Sequence, residues 1–349
     1  MKIKVLIVDD SYFFRKRLCD LFEDHPQISV VATAVNGEDA LTKVKTYRPD
    51  LITMDYEMPV MDGVTAVRRI MESYPTPILM ISALTYKGAS VTLEALEAGA
   101  LDFIAKLSND GGNPFADKKV LCEQILQLVQ SQKIRPVATA IPTPTPAIKR
   151  RSVRSVSENN FSAEVVVIGA STGGPVAVQN LLAKLPQDFP LPIVVAVHMP
   201  ANFTLAYANR LAKSCKIGVK EAADRDPLMP GQALIAPGGR LIKICKDNMG
   251  FVRLEYQTTE YGFAPSVDQL FTTASESYGK NVLAIVLTGM GSDGSKGAKK
   301  LRSDNATVWA QDEESSVIWG MPGVVVKHNL ANQVLSLDEM ATRLSNLNG

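Results

Sequence analysis

Residues 165–175 read Val165-Val166-Val167-Ile168-Gly169-Ala170-Ser171-Thr172-Gly173-Gly174-Pro175. Four β-branched residues in a row predict a strand buried on both faces, as in a parallel sheet. The glycines after them allow a sharp turn, and Pro175 suits the first turn of a helix. A strand passing through such a turn into a helix is the unit of an α/β domain, and the same style continues downstream. Ile193 to Val197 and Val282 to Leu287 repeat the buried-strand pattern. Ala233 to Ile235, Leu241 to Ile244 and Phe251 to Leu254 are short and separated by Gly or Asp-Asn turns, which predicts antiparallel hairpins. Residues 163–349 are therefore expected to form a Rossmann-like parallel sheet with a β-hairpin insertion.

Upstream, short apolar runs alternate with segments of helical spacing. Ile3 to Val8, Ile28 to Thr33, Leu51 to Met54, Ile78 to Ile81 and Leu101 to Ile104 read as strands, with Arg15 to Glu23 and Gly37 to Lys45 among the helices between them. Five such strands predict a doubly wound, flavodoxin-like domain over residues 1–130. Residues 131–162 carry Pro136, Pro142, Pro144 and Pro146, then the basic run Lys149-Arg150-Arg151 with Arg154. This stretch is too poor in large apolar residues to offset the entropy of ordering, and it is expected to be a linker. Its basic residues suit either solubility or docking.

The 349 residues suit two domains. The formal charge is 37 − 36 = +1, so bulk electrostatics favours neither a nucleic-acid partner nor membrane binding. The first apolar run ends at Asp9-Asp10, too soon for a signal-peptide core, and no apolar stretch approaches the ~18 residues that span a bilayer. Cys19, Cys122, Cys215 and Cys245 are scattered, with no metal-ligand spacing. A cytoplasmic location is expected.

Parallel sheets present functional groups at the carboxyl ends of their strands. Asp9 and Asp10 end the first predicted strand and Asp55 the third, and a 2-1-3-4-5 strand order makes those strands neighbours. Three converging carboxylates are costly without a cation, and hard oxygen ligands suit Mg2+. Ser82 follows the fourth strand and Lys106 the fifth. Singly, Asp9-Asp10-Ser11 could cap a helix and Lys106 could be a solvated charge. All five at strand ends predict a site for phosphoryl transfer to Asp55.

Val8-Asp9-Asp10-Ser11, Met54-Asp55-Tyr56-Glu57-Met58-Pro59 and Met61-Asp62-Gly63 resemble the response-regulator receiver family. The resemblance implies Asp55 as phosphoacceptor and Mg2+ held by Asp9, Asp10, Asp55 and the Glu57 carbonyl. It implies Ser82 as switch hydroxyl and Phe103 as switch aromatic. Leu107 departs from the family, which usually has proline there.

Gly169 to Gly173 satisfies G-x-S-x-G, the pattern of a nucleophile elbow. Ser171 would then lie near a helix N-terminus, where peptide N–H groups can stabilise an oxyanion. A dinucleotide-binding loop is the competing reading, but it wants G-x-G-x-x-G and an acid after the second strand. That strand ends instead in His198-Met199-Pro200. Of the three histidines, His25 precedes Pro26 in a turn and His328 falls near a helix end. His198 shares a sheet edge with Ser171 and is the candidate general base. Thr288-Gly289-Met290-Gly291-Ser292-Asp293-Gly294 is a second glycine-rich turn after a strand. Its Asp293 is either a helix cap or the acid that orients His198.

The order Ser, His, Asp departs from that of α/β-hydrolases. Gly169-Ala170-Ser171-Thr172-Gly173-Gly174, His198-Met199-Pro200 and Gly289-Met290-Gly291-Ser292-Asp293-Gly294 together resemble the chemotaxis protein-glutamate methylesterases, as do Gln311-Asp312-Glu313-Glu314-Ser315 and Gly320-Met321-Pro322. The resemblance implies hydrolysis of glutamate γ-methyl esters on chemoreceptors, deamidation of certain receptor glutamines, and a chemotaxis histidine kinase as phosphodonor. It implies an oxyanion donor at the Met290 N–H, with no cofactor in the catalytic half. The alternatives are a receiver joined to a nucleotide-binding module and, less well matched, a DNA-binding regulator, whose output domain should be small, basic and helical.

Overall fold

The structure, a computed structural model, describes residues 2–83, 85–106, 118–134, 163–246, 250–256 and 263–347. In the N-terminal half, β1 (Ile3–Val8), β2 (Ile28–Ala34), β3 (Leu51–Asp55), β4 (Ile78–Ala83) and β5 (Asp102–Lys106) form one parallel sheet in the order β2-β1-β3-β4-β5. Between and after them run α1 (Tyr12–Phe22), α2 (Gly37–Tyr47), α3 (Gly63–Ser73), α4 (Tyr86–Glu97) and α5 (Lys118–Ile134). This is the expected flavodoxin-like domain. Every residue of β3 is buried, as a strand with helices on both faces requires. The α3 helix turns Val64, Val67 and Ile70 inward, and its N-cap Asp62 accepts the Thr65 N–H at 2.8 Å.

Several element ends shift by a few residues from expectation, and two of the shifts matter for the architecture. The fifth strand starts at Asp102 rather than Leu101 and runs on to Lys106, because its polar ends still pair with β4. The linker was expected from Ser131, but α5 continues to Ile134. Buried Leu121, Ile125, Leu128 and Val129 anchor that helix on the sheet. The rest of the expected linker, 135–162, lies outside the described residues, as does Leu107.

The C-terminal half contains β6 (Val165–Ala170), α6 (Gly174–Leu182), β7 (Ile193–Val197), α7 (Ala201–Ser214), β8 (Gly218–Glu221), β9 (Gln232–Ile235), β10 (Arg240–Cys245) and β11 (Phe251–Tyr256). It continues with α8 (Val267–Tyr278), β12 (Val282–Val286), α9 (Ser295–Ser303), β13 (Thr307–Gln311), α10 (Met321–Lys327), β14 (Gln333–Leu335) and α11 (Leu337–Ser345). Seven strands make a parallel sheet in the order β14-β13-β12-β6-β7-β9-β8. The expected hairpin character fails at Ala233 to Ile235. That segment belongs to β9 and pairs in parallel with β7 and β8. Ala233, Leu234 and Ile235 are consecutively buried, which suits a covered parallel strand and not an alternating hairpin. The hairpin expected from the other two segments is present as antiparallel β10 and β11.

The two halves meet along the α4–β5–α5 side of the first. The Glu97 carboxylate accepts hydrogen bonds from Arg210 on α7 and Gln179 on α6. The Phe103 ring stacks on Phe203 with centroids 4.4 Å apart. Ile318, from the loop before α10, joins the apolar cluster that holds Ile81, Ile125 and Leu128.

Candidate active site

The strand order β12-β6-β7 gathers three strand ends at one place. Ser171 leaves β6, His198 leaves β7 and Asp293 follows β12. The Ser171 N–H donates to the Thr288 carbonyl at 3.0 Å, and the His198 N–H donates to the Ala170 carbonyl at 3.2 Å, so each turn is tied to its neighbour. The His198 Nδ1 lies 3.2 Å from Ser171 Oγ and its Nε2 lies 2.9 Å from Asp293 Oδ2. With Nε2 donating to the carboxylate, Nδ1 presents its lone pair to the hydroxyl. The nitrogens thus exchange the places they hold in the serine protease arrangement, where Nε2 faces the serine.

Asp293 does not cap α9, whose N-cap is Gly294. It reaches the N-terminus of α8, accepting the N–H groups of Val267 at 2.7 Å and Asp268 at 2.8 Å and the Ser266 hydroxyl at 3.3 Å. Burial alone would raise its pKa. The His198 hydrogen bond and charge, together with those N–H donors, outweigh burial and hold the carboxyl below its ordinary range. Asp293 is therefore a fixed anion, held by the positive end of a helix.

Gly289 lets the β12 turn close on Ser171, since a Cβ there would fall 2.8 Å from the Ser171 Cβ. The neighbouring Met290 is half-buried, and its peptide N–H pairs with nothing among the described residues. Gly173, at φ +74°, carries the chain from the elbow into α6. A hydroxyl aligned with a base and an anion beside a free peptide donor can perform acyl transfer. His25 and His328 stand elsewhere, in a turn and at the C-cap of α10.

At the other sheet edge, single oxygens of Asp9, Asp10 and Asp55 lie within 4.8 Å of one another. Lys106 Nζ is 2.7 Å from both Asp9 Oδ2 and Asp55 Oδ2. The Asp9 contact is an ion pair without hydrogen-bond geometry, which leaves that buried oxygen without a donor. Burial raises the Asp55 pKa to about 6, and the Asp9 charge adds to the rise against the opposing Lys106. An under-satisfied anionic cluster of hard oxygens fits a divalent cation. Glu57 was expected through its carbonyl. Its exposed carboxylate accepts the Tyr56 hydroxyl at 3.1 Å and pairs with Lys87. Ser82 lies within β4, one residue before its end, but its side chain lies outside the described residues.

Three contact residues escaped the sequence reading. Thr172, beside the nucleophile candidate, lies against the buried Asp102 of β5, which accepts Gln124 Nε2 at 2.6 Å. Ser266 opens the pattern Ser266-Val267-Asp268-Gln269, a helix-start signal that could have marked the anchor of Asp293. Phe263 stacks on His198 and had no sequence signal.

The family model for the CheB methylesterase matches residues 166–344, and that for the response regulator receiver domain matches residues 5–111. The chain is 47% identical to a protein-glutamate methylesterase/protein-glutamine glutaminase of Pseudomonas putida, covering 99% of each chain. A protein of the same description from Pseudomonas aeruginosa is 46% identical, again over 99% of each chain. Among solved structures, the CheB methylesterase catalytic domain of Thermotoga maritima aligns with 54% of this chain and 100% of its own, at 39% identity and a TM-score of 0.52.

Proposed function

The chain belongs to the CheB methylesterase family, with a receiver domain ahead of the methylesterase domain, and on that premise we propose that it hydrolyses glutamate γ-methyl esters on chemoreceptors and deamidates particular receptor glutamines. The observation that carries this is the Ser171–His198–Asp293 alignment at 3.2 and 2.9 Å. His198 Nδ1 takes the Ser171 proton as Oγ attacks the ester carbonyl, and the Met290 N–H receives the oxyanion. Collapse breaks the bond to the methoxy oxygen, and methanol leaves with the proton from His198. Water then attacks the acyl-enzyme, with His198 again as base, releasing the glutamate and restoring Ser171. A glutamine side chain follows the same course and releases ammonia. Asp293 stays ionised throughout and stabilises the imidazolium.

The receiver supplies control. Asp55 is the phosphoacceptor and a chemotaxis histidine kinase the donor. Asp9, Asp10, Asp55 and the Glu57 carbonyl would hold Mg2+, which neutralises charge on an incoming phosphoryl group when bound. Lys106, Ser82 and Phe103 would then report the phosphoryl group to the α4–β5–α5 side, loosening its hold on α6 and α7. The proposed domain limits are a receiver from residue 1 to the end of α5 at Ile134, a linker over 135–162 and a methylesterase domain over 163–349. Among the described residues no helix is long and apolar enough to cross a membrane. The cytoplasm, where the modified receptor helices lie, is the compartment this reading requires.

Methanol release from methylated receptor membranes tests the reading. Wild type should release it faster with a small-molecule phosphodonor, and Ser171→Ala should release none above background. Turnover that survives Ser171→Ala refutes the assignment.

A further inference from the structure

The loop entering α8 touches two members of the Ser171–His198–Asp293 group, and one of its contacts has no role in the mechanism above. Its far end holds Asp293 through Ser266, Val267 and Asp268. Three residues before Ser266, the Phe263 ring lies face to face with the His198 imidazole, with centroids 4.5 Å apart and planes 14° apart. Just behind it, the Ala264 carbonyl accepts the Gly239 N–H at 3.0 Å, which ties the loop to the turn entering β10. Phe263 is nevertheless 54% exposed. Its ring and His198 are walls of an open cavity of about 220 Å³, completed by Met199, Pro200 and Ala264. Single exposed aromatics are common on protein surfaces and need no role. This one differs because its buried face is spent on an imidazole rather than on the core.

We propose that Phe263 is a positioning residue for the His198 base, an inference that rests on the hydrolase reading above. Hydrogen bonds at Nδ1 and Nε2 fix the two nitrogens. They resist only weakly a rocking of the ring plane about the line joining them. A stacked ring opposes that rocking and keeps the Nδ1 lone pair on the Ser171 hydroxyl. An aromatic face also attracts the positive charge that the imidazole gains on taking the proton. That help is absent from the ground state, so it lowers the barrier and not the binding energy.

The experiment measures kcat and KM of the full chain on methylated receptor membranes, with Mg2+ and a small-molecule phosphodonor. Wild type, Phe263→Leu, Phe263→Tyr and Ser171→Ala are compared, with melting curves showing that each is folded. Leucine keeps apolar bulk without a π face, and tyrosine keeps the ring. Phe263→Leu should lower kcat about three- to tenfold with KM held within about twofold, and Phe263→Tyr should retain the wild-type kcat. A wild-type kcat in Phe263→Leu, equal losses in both variants, or a change confined to KM overturns the proposal. Turnover in Ser171→Ala instead overturns the hydrolase reading itself. Its loss alongside a normal Phe263→Leu leaves that reading standing and removes only the role of Phe263.

Discussion

Replacing Glu97 with alanine should raise turnover of the unphosphorylated protein about fivefold and leave the phosphorylated protein unchanged. Glu97 ends α4 and grips the other half of the molecule, accepting Arg210 Nε at 2.6 Å and Gln179 Nε2 at 2.9 Å, with a second Arg210 nitrogen completing the fork. The Arg210 hydrogen bond comes first among the causes that hold the Glu97 pKa below its ordinary value; burial opposes it and the Gln179 bond adds to it. The side chains of Arg210 and Glu97 are 28% and 35% exposed, so solvent screens much of the attraction. A forked pair between two helices at that exposure contributes about 1 kcal/mol. Losing 1 kcal/mol multiplies the open fraction about fivefold while the closed form predominates. Methanol release from methylated receptor membranes, with and without a phosphodonor, reads both states. Arg210→Ala should have a similar effect, and the double variant should add little, because both remove one contact. An unchanged basal rate in a folded Glu97→Ala protein would refute the reasoning, as would an equal rise in the phosphorylated protein.

Two further predictions concern groups close to Ser171. Gly289→Ala should lower kcat by about 100-fold without unfolding the protein, because its Cβ would sit 2.8 Å from the Ser171 Cβ and 3.0 Å from the Ser171 nitrogen. Met321 Sδ, 2.5 Å away, can yield, but the elbow backbone cannot. A Gly289→Ala enzyme with near-normal kcat would show that the turn tolerates displacement. Asp102→Asn should stabilise the protein by about 2 kcal/mol at pH 8, an advantage that shrinks as pH falls from 6 towards 4. Burial raises the Asp102 pKa to about 6, against the hydrogen bonds from Thr172, Phe103 and Gln124. A carboxyl whose folded pKa is raised binds its proton more tightly when folded, so its stability contribution is greatest at low pH and is lost as pH rises through 6. Thermal melting at pH 8 and pH 4.5 would count against this if Asp102→Asn were equal to or less stable than wild type at both.

Much of this was written in local chemistry. Runs such as Val165 to Ile168 can only be covered strands, and polar groups directly after such runs had to lie on one sheet edge. The placement of Ser171 and His198 on one sheet edge followed. What failed depended on partners distant in the chain. Ala233 to Ile235 has the length and bordering turns of a hairpin strand, and only its two parallel neighbours make it otherwise. Asp293 looked like a possible cap for the helix after it, yet its N–H donors come from residues 25 and 26 positions earlier. The nitrogen that His198 turns to Ser171 depends on the rotamer that its contacts with Asp293 and Ser171 select. A lone phenylalanine in a loop carries no period from which its stacking partner could be read.

The contact between Asp102 and Thr172 places the regulatory half on the residue adjoining the nucleophile. A shift of the receiver half would then reach the nucleophile's neighbour without a relay through the interior. With one regulatory half beside one site, each molecule would interchange between a closed and an open form, and phosphorylation would shift that balance. If each molecule responds alone, output would rise in proportion to the phosphorylated fraction above a basal rate.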